Sequence, residues 1–292
     1  MSKGLLDPKV DFVFKNIFGS PNHPEILISF LNATLKAKKK IVNVDIKKTD
    51  IEKQYIEDKY SRLDVKATTS NDEIINIEIQ LKNENNMVKR SLYYLSKMYE
   101  EQLNEKEDYS KLVRTVCINI LNFKYLKTDN FHTGYRFKEI ESNEELTDIM
   151  EVHFIEIPKL QDSSDEKDML VAWTEFLKDP ESEKVRGLEL SIEEIRQAKD
   201  ELIRMSNDST QRELYDMRAN SLRDKMSELN AAERKGIEKG REEGREEGRK
   251  EGIEEGRKEE KIKIARNMKL SGIDTNTIAK ITNLSEDEID KL

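Results

Sequence analysis

Cysteine is almost missing from this sequence, and its shortage removes several classes of protein. One cysteine stands among the 292 residues. A single cysteine cannot form an internal disulfide or a cysteine-based zinc knuckle, and it fits a reducing compartment. It lies in the apolar stretch LVRTVCINIL, where we expect Cys117 to be a small buried hydrophobe of a strand. The chain is therefore expected to fold without disulfides.

Long apolar runs are missing as well. No segment approaches the roughly 18 consecutive apolar residues of a membrane span, and the opening MSKGLLDPKVDF lacks the apolar stretch of a signal peptide. The sequence therefore predicts no membrane partner and a cytoplasmic location.

Glycine and histidine are also too sparse for several familiar sites. Six of the 11 glycines stand at every fourth position from 236 to 256, which leaves the rest too glycine-poor for a Walker loop or a GxGxxG turn. The three histidines, His23, His132 and His153, have no partner at helical spacing, so we interpret them as ordinary histidines and not as zinc ligands. No motif for acyl chemistry is present.

Charge is abundant but negative overall. Lys and Arg number 51 against 60 Asp and Glu, for a formal net charge of −9. Non-specific affinity for nucleic acid comes largely from Lys and Arg that neutralise phosphates, so any such contact is expected at a local patch. The densest basic run outside the tail is KAKKK, in which Lys38, Lys39 and Lys40 are weak candidates for steering phosphate.

Hydrophobic periodicity predicts an α/β core over residues 1–160. Two amphipathic helices and three strands come first, followed by a helix in residues 86–104 with Leu92, Leu95, Tyr99 and Leu103 along one side. The next strand, in residues 111–123, is almost wholly apolar, as is typical of the middle of a sheet covered on both faces. Two later strands extend this sheet.

Three further regions are expected. Residues 161–232 read as a helical extension with a covering or interaction role. Residues 233–260 form a charged helix or linker. Glycine inside a helix costs about 1 kcal/mol relative to alanine, so six of them cost roughly 6 kcal/mol, and Glu–Arg pairs return little of this. Pairing of two such helices along the glycine seam would offset the cost, which predicts a homo-oligomer through residues 236–292.

The last region, residues 261–292, reads as a small helical module similar to a helix-turn-helix. Ser285 with Glu288 three residues later has the pattern of a capping box. Its last two helices carry Lys280 but no arginine, so the pattern favours a packing or oligomerisation unit over a reader of the major groove.

The stretch RLDVKATTSNDEIINIEIQ reads as a β-hairpin that places two acids side by side. Alternation puts Asp64 on the polar face of the first strand and Glu78 on the polar face of the second. With the turn centred on Asn71, Asp64 faces Glu78, and opposed like charges destabilise a sheet. A divalent cation, Mg²⁺ or Mn²⁺, would compensate. The alternative is a solvated charged face on which Arg62 or Lys66 screens the acids.

The D and E-x-Q on adjoining strands, within this order of elements, resemble the PD-(D/E)XK nuclease superfamily. Five motifs are more closely similar to the Rpn family of recombination-promoting nucleases, also called PD-(D/E)XK nuclease family transposases: DPKVDFVFKNIFG, SRLDVKA, INIEIQ, KRSLYYLSKMYEEQL and YSKLVRTVCINILNF. The resemblance implies a restriction-endonuclease-like mixed sheet flanked by helices. It also implies a metal-dependent DNA endonuclease that acts in recombination, mobile-element biology or defence.

The resemblance also implies roles for residues of the hairpin. Asp64 matches the first metal-binding acid, Glu78 the second, and Gln80 the position that is a lysine in most of the superfamily. That lysine orients the attacking water or offsets charge in the transition state. Gln80 hydrogen-bonds water without bringing charge, which puts the rate in question. Lys66, on the same face, is a candidate for supplying that charge.

Two pairs outside the hairpin are further candidates. Asp11 and Lys15 match the D-x-x-F-K opening of the family, and the alternative is a surface ion pair four residues apart. Arg90 and Lys97 share one face of the following helix near Tyr94, where they are candidates for contacting the phosphate backbone. The alternative for them is solvated charge.

Two other functions stay open. One is a catalytically degenerate nuclease-like protein that binds DNA or oligomerises through its Gly-Glu-Arg helix. The other is a structural scaffold, which would require the acids to be screened surface groups.

Overall fold

The computed structural model describes residues 4–37, 39–47, 65–165 and 167–292. They divide into two compact units, Met1–Arg223 and Asp224–Leu292. In the described part of the chain, every helix is too short or too polar to cross a lipid bilayer.

One mixed six-stranded sheet organises the first unit, as the sequence predicts. Its order is β1-β2-β3-β4-β6-β5. The strands are β1 (Val44–Lys47), β2 (Val65–Thr69), β3 (Ile74–Gln80), β4 (Thr115–Leu121), β5 (His132–Lys138) and β6 (Glu145–Glu156). The central strands β3, β4 and β6 run parallel, and the outer pairings are antiparallel. β4 is buried at every position because both faces of the sheet are covered.

Most helices of the first unit cover one face of the sheet. They are α1 (Asp11–Phe18), α2 (Pro24–Leu35), α4 (Met169–Lys178), α5 (Glu183–Glu189) and α6 (Glu193–Asn207). Proline at the first turn of α2 has the fixed φ that starts a helix. The ring of Phe18 meets those of Phe30 and Trp173 edge to face, with centroids 5.5 and 5.3 Å apart. The larger hydrophobic core lies on this face.

On the other face, the described part of the chain has one helix, α3 (Met87–Glu100), which packs on β4 and β6. The expected apolar stripe is confirmed at Leu95, which is 3% exposed, but is wrong at Leu92, which is 50% exposed. The face that meets the sheet also holds Ser91, Tyr94 and Met98. The inward face of α3 is therefore partly polar. Cys117 of β4 packs beneath it, and burial raises the pKa of its thiol to about 12.

The helix α7 (Ser209–Leu270) is continuous for 62 residues and includes the whole glycine repeat. The repeat is therefore helical and not an irregular linker. A Cβ added at any of its six glycines would meet nothing within 4 Å.

The second unit ends in a small helical module, which consists of the end of α7 with α8 (Thr275–Thr282) and α9 (Glu286–Asp290). Its core contains Ala265, Ile278, Leu284 and Ile289. The predicted capping box of Ser285 and Glu288 is confirmed at the start of α9.

Candidate active site

The register of the β2–β3 hairpin agrees with the sequence pattern over the described residues. Val65 pairs with Ile77 and Lys66 with Asn76, as expected for a turn centred on Asn71. Asp64 and Arg62 lie outside the described residues. The facing of Asp64 and Glu78 therefore stays a prediction.

Glu78 is completely buried. Its exposed fraction is 0%, and so is that of Asn76 on the same face of β3. The interpretation of this face as a solvated charged surface is therefore wrong for Glu78. The reason is that α3 contributes Arg90, whose side chain lies over the carboxylate.

Arg90 binds Glu78 with one nitrogen. Its Nε donates a hydrogen bond to Glu78 Oε2 at 3.1 Å, and its guanidinium carbon lies 5.1 Å from the centre of the Tyr94 ring. The Arg90 side chain is 23% exposed, so it is neither a free surface charge nor fully enclosed. The other carboxylate oxygen, Glu78 Oε1, is buried without a hydrogen-bond partner among the described residues.

The electrostatics of this pair follow from burial. Loss of solvation raises the pKa of Glu78, although Arg90 and the Asn76 amide act in the opposite direction. Burial also disfavours the charge of Arg90, but the Glu78 carboxylate and its hydrogen bond raise the pKa of Arg90 above its ordinary value. The site therefore holds an arginine cation beside a carboxylate that lacks part of its solvation.

Polar side chains of β4 and α3 complete the surroundings. Asn119 pairs with Glu78 across the strands, its Oδ1 accepts a hydrogen bond from Ser91 Oγ at 2.8 Å, and its Nδ2 donates to the His153 carbonyl at 3.1 Å. We call Asn76, Glu78, Arg90, Ser91 and Asn119 the α3-side cluster. Of these, Asn76, Ser91 and Asn119 are not predicted as site residues. For Asn76 and Asn119, the one signal in the sequence is a polar residue on a strand that is otherwise largely apolar, and Ser91 of α3 has no such signal.

Two predicted lysines meet at the edge of this site. Lys66 Nζ lies 4.0 Å from Glu101 Oε2, and Lys97 Nζ lies 3.6 Å from Glu101 Oε1. Gln80 lies at the end of β3, is half-buried and pairs with Leu121. The two lysines thus share one exposed carboxylate near the hairpin.

Asp11 and Lys15 both lie on α1. Asp11 Oδ2 accepts from Arg218 Nη1 of α7 at 2.8 Å, so Asp11 forms its ion pair with α7 and not with Lys15. The end of α1 touches β2, because a Cβ added at Gly19 would lie 3.3 Å from Val65 Cγ2 and 2.6 Å from the Lys15 carbonyl oxygen. Lys15 therefore lies one turn before a contact with Val65, the residue that follows Asp64.

The predicted basic run follows α2. Lys39 and Lys40 are exposed there, ahead of β1, whereas Lys38 lies outside the described residues. Neither exposed lysine contacts the α3-side cluster in the described structure.

A second buried polar group crosses the sheet near β5. His132 Nε2 lies 2.9 Å from His153 Nδ1, and His153 Nε2 lies 2.8 Å from Glu151 Oε1. Arg114 bridges Glu151 and Glu73, with its Nη1 2.5 Å from Glu73 Oε1. We call these five residues the edge network. Two of the three histidines thus meet through the fold, but no set of three or more His, Cys, Asp or Glu suited to a metal ion occurs in the described ranges.

The charges of the edge network are fixed by these contacts. Burial alone would raise the pKa of Glu151, but hydrogen bonds from His153 and Arg114 lower it to about 2. Burial, followed by the neighbouring His153, lowers the pKa of His132 to about 4. The network therefore holds an ionised Glu151 and a neutral His132 at neutral pH.

Comparison with known proteins gives two family matches. A model described as PD-(D/E)XK nuclease family transposase matches residues 8–232, and one described as Rpn/YhgA-like nuclease family, C-terminal HTH domain, matches residues 258–292. No curated protein and no solved structure matches the chain. The first match contains the whole sheet and the α3-side cluster.

Proposed function

Since the chain belongs to the PD-(D/E)XK nuclease family transposases, we propose that it is a DNA endonuclease that hydrolyses phosphodiester bonds with a divalent metal ion. Nucleases of this superfamily generally use such ions. We propose Asp64 and Glu78 as the residues that hold Mg²⁺ or Mn²⁺. Asp64 is the chain neighbour of Val65, the last paired residue described at that end of β2.

The observation that carries this proposal is the unpaired Oε1 of Glu78. A buried polar atom without a partner costs about 1–3 kcal/mol, so a protein keeps one where something binds it. Carboxylate oxygen is the ligand type that Mg²⁺ and Mn²⁺ prefer. The donor chemistry of Glu78 therefore fits a divalent cation, and Arg90 leaves this oxygen available by taking Oε2.

The chain's own residues have distinct proposed roles. A bound divalent ion would supply a more acidic water and stabilise charge on the phosphate. We assign to Gln80 the orientation of the attacking water by hydrogen bonding, because an amide both donates and accepts. Lys66 lies on β2, two residues after Asp64 in the chain, and Lys15 lies on α1, whose end contacts Val65. We assign to both lysines the attraction of the phosphate backbone by their charge.

The test is cleavage by the purified full-length protein. Plasmid, linear duplex and single-stranded DNA would be incubated with millimolar Mg²⁺ or Mn²⁺, using Asp64→Asn and Glu78→Gln as the site variants and the exposed Glu141→Gln as the matched control. We expect wild type and Glu141→Gln to cleave and both site variants to lose cleavage. Metal should also raise the melting temperature of wild type but not of Asp64→Asn, because a ligand of the folded state stabilises it. Identical metal responses in wild type and Asp64→Asn would refute the site.

A second candidate function follows from Gln80, which lacks the charge of the superfamily's lysine. In this alternative the core is catalytically degenerate and the protein acts as a DNA-binding or oligomerising module. The same assay separates the two, since the alternative predicts metal-independent DNA binding without cleavage by wild type.

We propose DNA as the partner, with Lys97 and Lys38, Lys39 and Lys40 as backbone contacts. The nuclease and HTH family matches support DNA as the partner. Action in recombination, mobile-element biology or defence rests on the family. A cytoplasmic location rests on the lack of a membrane-span or signal-peptide pattern in this sequence, and the single cysteine fits a reducing compartment.

We also propose self-association through residues 236–292. The support is the exposed glycine face of α7, where nothing in the described chain would contact an added Cβ. Light scattering before and after truncation at Glu233 tests this. We expect the full-length protein to have the mass of an oligomer and the truncated protein to have the mass of its own monomer, with cleavage retained. The same number of subunits before and after truncation would refute the proposal.

A further inference from the structure

The proposed site lacks a positive charge at the position where most of the superfamily has one. Gln80 occupies that position, and an amide cannot neutralise the charge that builds up on a phosphodiester during hydrolysis. Lys66 and Lys97 lie near the hairpin, but both are close to Glu101, at 4.0 and 3.6 Å. A cation in direct contact with the proposed metal-binding carboxylate would supply this charge at the reacting phosphate.

Arg90 is the cation that contacts the proposed metal-binding carboxylate. Its Nε lies 3.1 Å from Glu78 Oε2. It comes from α3 and not from the hairpin, so the motif on β3 does not reveal it. Arginine stays protonated at every accessible pH, which makes it a permanent source of positive charge.

The geometry of Arg90 leaves its outer edge available. Only Nε engages Glu78, and the described structure contains no hydrogen bond from its two terminal nitrogens. The side chain retains 23% exposure, and Tyr94, which is 2% exposed, lies against the guanidinium. A guanidinium held on one side by a carboxylate and on one face by a ring presents its terminal nitrogens in a fixed direction. Two parallel donors of this kind match the oxygens of a phosphate.

We propose that Arg90 is a catalytic residue whose Nε holds Glu78 while its terminal nitrogens contact a non-bridging oxygen of the scissile phosphate. It thereby supplies the positive charge that Gln80 lacks. This role rests on the proposed nuclease function. In the reaction, the water oxygen bonds to phosphorus as the bond from phosphorus to the leaving sugar oxygen breaks. One proton of the water ends on that sugar oxygen, the other stays with the phosphate product, and Arg90 keeps its own protons.

A purely structural Arg90 would give different results, and three variants separate the roles. Arg90→Lys keeps the positive charge but loses the planar pair of terminal donors, and Arg90→Ala removes both. The matched control on the same helix is Lys89→Met, at a neighbouring exposed position. Circular dichroism melting checks that each variant folds. If Arg90→Ala fails to fold, Arg90→Lys carries the test.

Cleavage kinetics and chemical rescue are the first measurement. We expect Arg90→Ala to lower kcat about 100- to 1,000-fold, the usual effect of removing one transition-state donor. KM for DNA should change less. Arg90→Lys should keep part of the activity and Lys89→Met all of it. Added guanidinium ion should restore cleavage by Arg90→Ala, whereas urea, its neutral analogue, should not.

Calorimetric titration with Mn²⁺ is the second measurement and does not depend on activity. We expect Arg90→Ala and Arg90→Lys to bind Mn²⁺ at least as tightly as wild type, because each variant keeps Glu78 Oε1 available. Weaker binding in step with lost cleavage would show that Arg90 only orients Glu78 and would overturn the proposal. Cleavage by Arg90→Ala at the wild-type rate, or equal rescue by urea, would also overturn it. A wild type that does not cleave DNA would remove the nuclease function and this role together.

Discussion

Glu78 and Glu151 are both buried carboxylates of the central sheet that contact an arginine. Their surroundings shift the two pKa values in opposite directions. Glu78 is 0% exposed and Glu151 is 3% exposed. Burial raises the pKa of Glu78, with only Arg90 and Asn76 opposing it. Burial of Glu151 is outweighed by hydrogen bonds from His153 and Arg114, which lower its pKa to about 2.

The difference lies in how many partners each carboxylate has. Both oxygens of Glu151 are bonded, to His153 on one side and to Arg114 and Arg136 on the other. Within the described ranges, Glu78 has one cation on Oε2 and no hydrogen-bond partner on Oε1. A fully partnered buried carboxylate serves the fold, whereas an incompletely partnered one is available for binding. These contacts are those of a structural network around Glu151, and the incomplete partnering of Glu78 supports the proposal that the α3-side cluster is the functional site.

Removing Glu151 should have the largest effect on stability. Glu151→Ala removes the carboxylate partner of His153 and leaves Arg114 with Glu73 as its remaining buried partner. We expect a loss of about 3–5 kcal/mol in the free energy of unfolding. Urea denaturation followed by fluorescence of Trp173, the single tryptophan, measures this in the first unit. Glu145→Ala removes the exposed second partner of Arg136 and should cost less than about 1 kcal/mol. Equal losses would mean that the network does not support the sheet.

Acid should destabilise the edge network next most strongly. The pKa of His132 is lowered to about 4 in the fold, so between pH 6.5 and 4 the unfolded chain binds a proton that the folded chain excludes. Stability is therefore lost as the pH falls through this window, by about 3 kcal/mol at 1.4 kcal/mol per unit. Denaturation at several pH values should give a shallower loss for His132→Gln than for wild type. His23→Gln, outside the network, should keep the wild-type slope, and the same slope in both variants would refute the assignment.

Gly134→Ala should produce an intermediate effect through packing. A Cβ at this position of β5 would lie 3.0 Å from the His153 ring, too close without movement of the ring. Overpacking of this kind costs about 1–3 kcal/mol. Denaturation measures the loss, and Gly187→Ala, where an added Cβ meets nothing within 4 Å, is the control. A neutral Gly134→Ala would show that the His132–His153 contact adjusts freely.

Glu78→Gln should change metal-free stability least. Because the pKa of Glu78 is raised in the fold, ionisation of this carboxyl group costs stability as the pH rises through its folded pKa. The neutral amide of Glu78→Gln avoids this cost but loses the ion pair with Arg90. Because Arg90 is 23% exposed and its charge can be hydrated in this variant, we expect the free energy of unfolding at neutral pH to stay within about 1 kcal/mol of wild type. A loss as large as that of Glu151→Ala would remove the contrast between the two carboxylates.

The hairpin register was predictable from the sequence because β-strand alternation and a short polar turn leave one pairing that keeps the apolar residues together. Val65, Ala67, Ile75 and Ile77 all face the larger core. Cys117 in a buried central strand followed from the same pattern. The order of helices and strands was predictable to the same extent.

The burial of Glu78 was not predictable, because it depends on which side of α3 meets the sheet. An apolar stripe through Leu92 and Leu95 fits the sequence, but the helix is rotated so that Ser91 and Tyr94 face inward. The meeting of His132 and His153 depends on a β5–β6 pairing with register shifts, which no local spacing reveals. Tertiary packing decided both cases.

Cys117 makes the centre of the sheet accessible to kinetic measurement. Its thiol is completely buried, and burial raises its pKa to about 12, so in the native state it lacks both the access and the thiolate form that alkylating reagents need. Because it is the single cysteine of the chain, every labelling event reports an opening of β4 beneath Asn76 and Asn119. The labelling rate, compared with that of the unfolded chain, gives the free energy of this opening without any added probe.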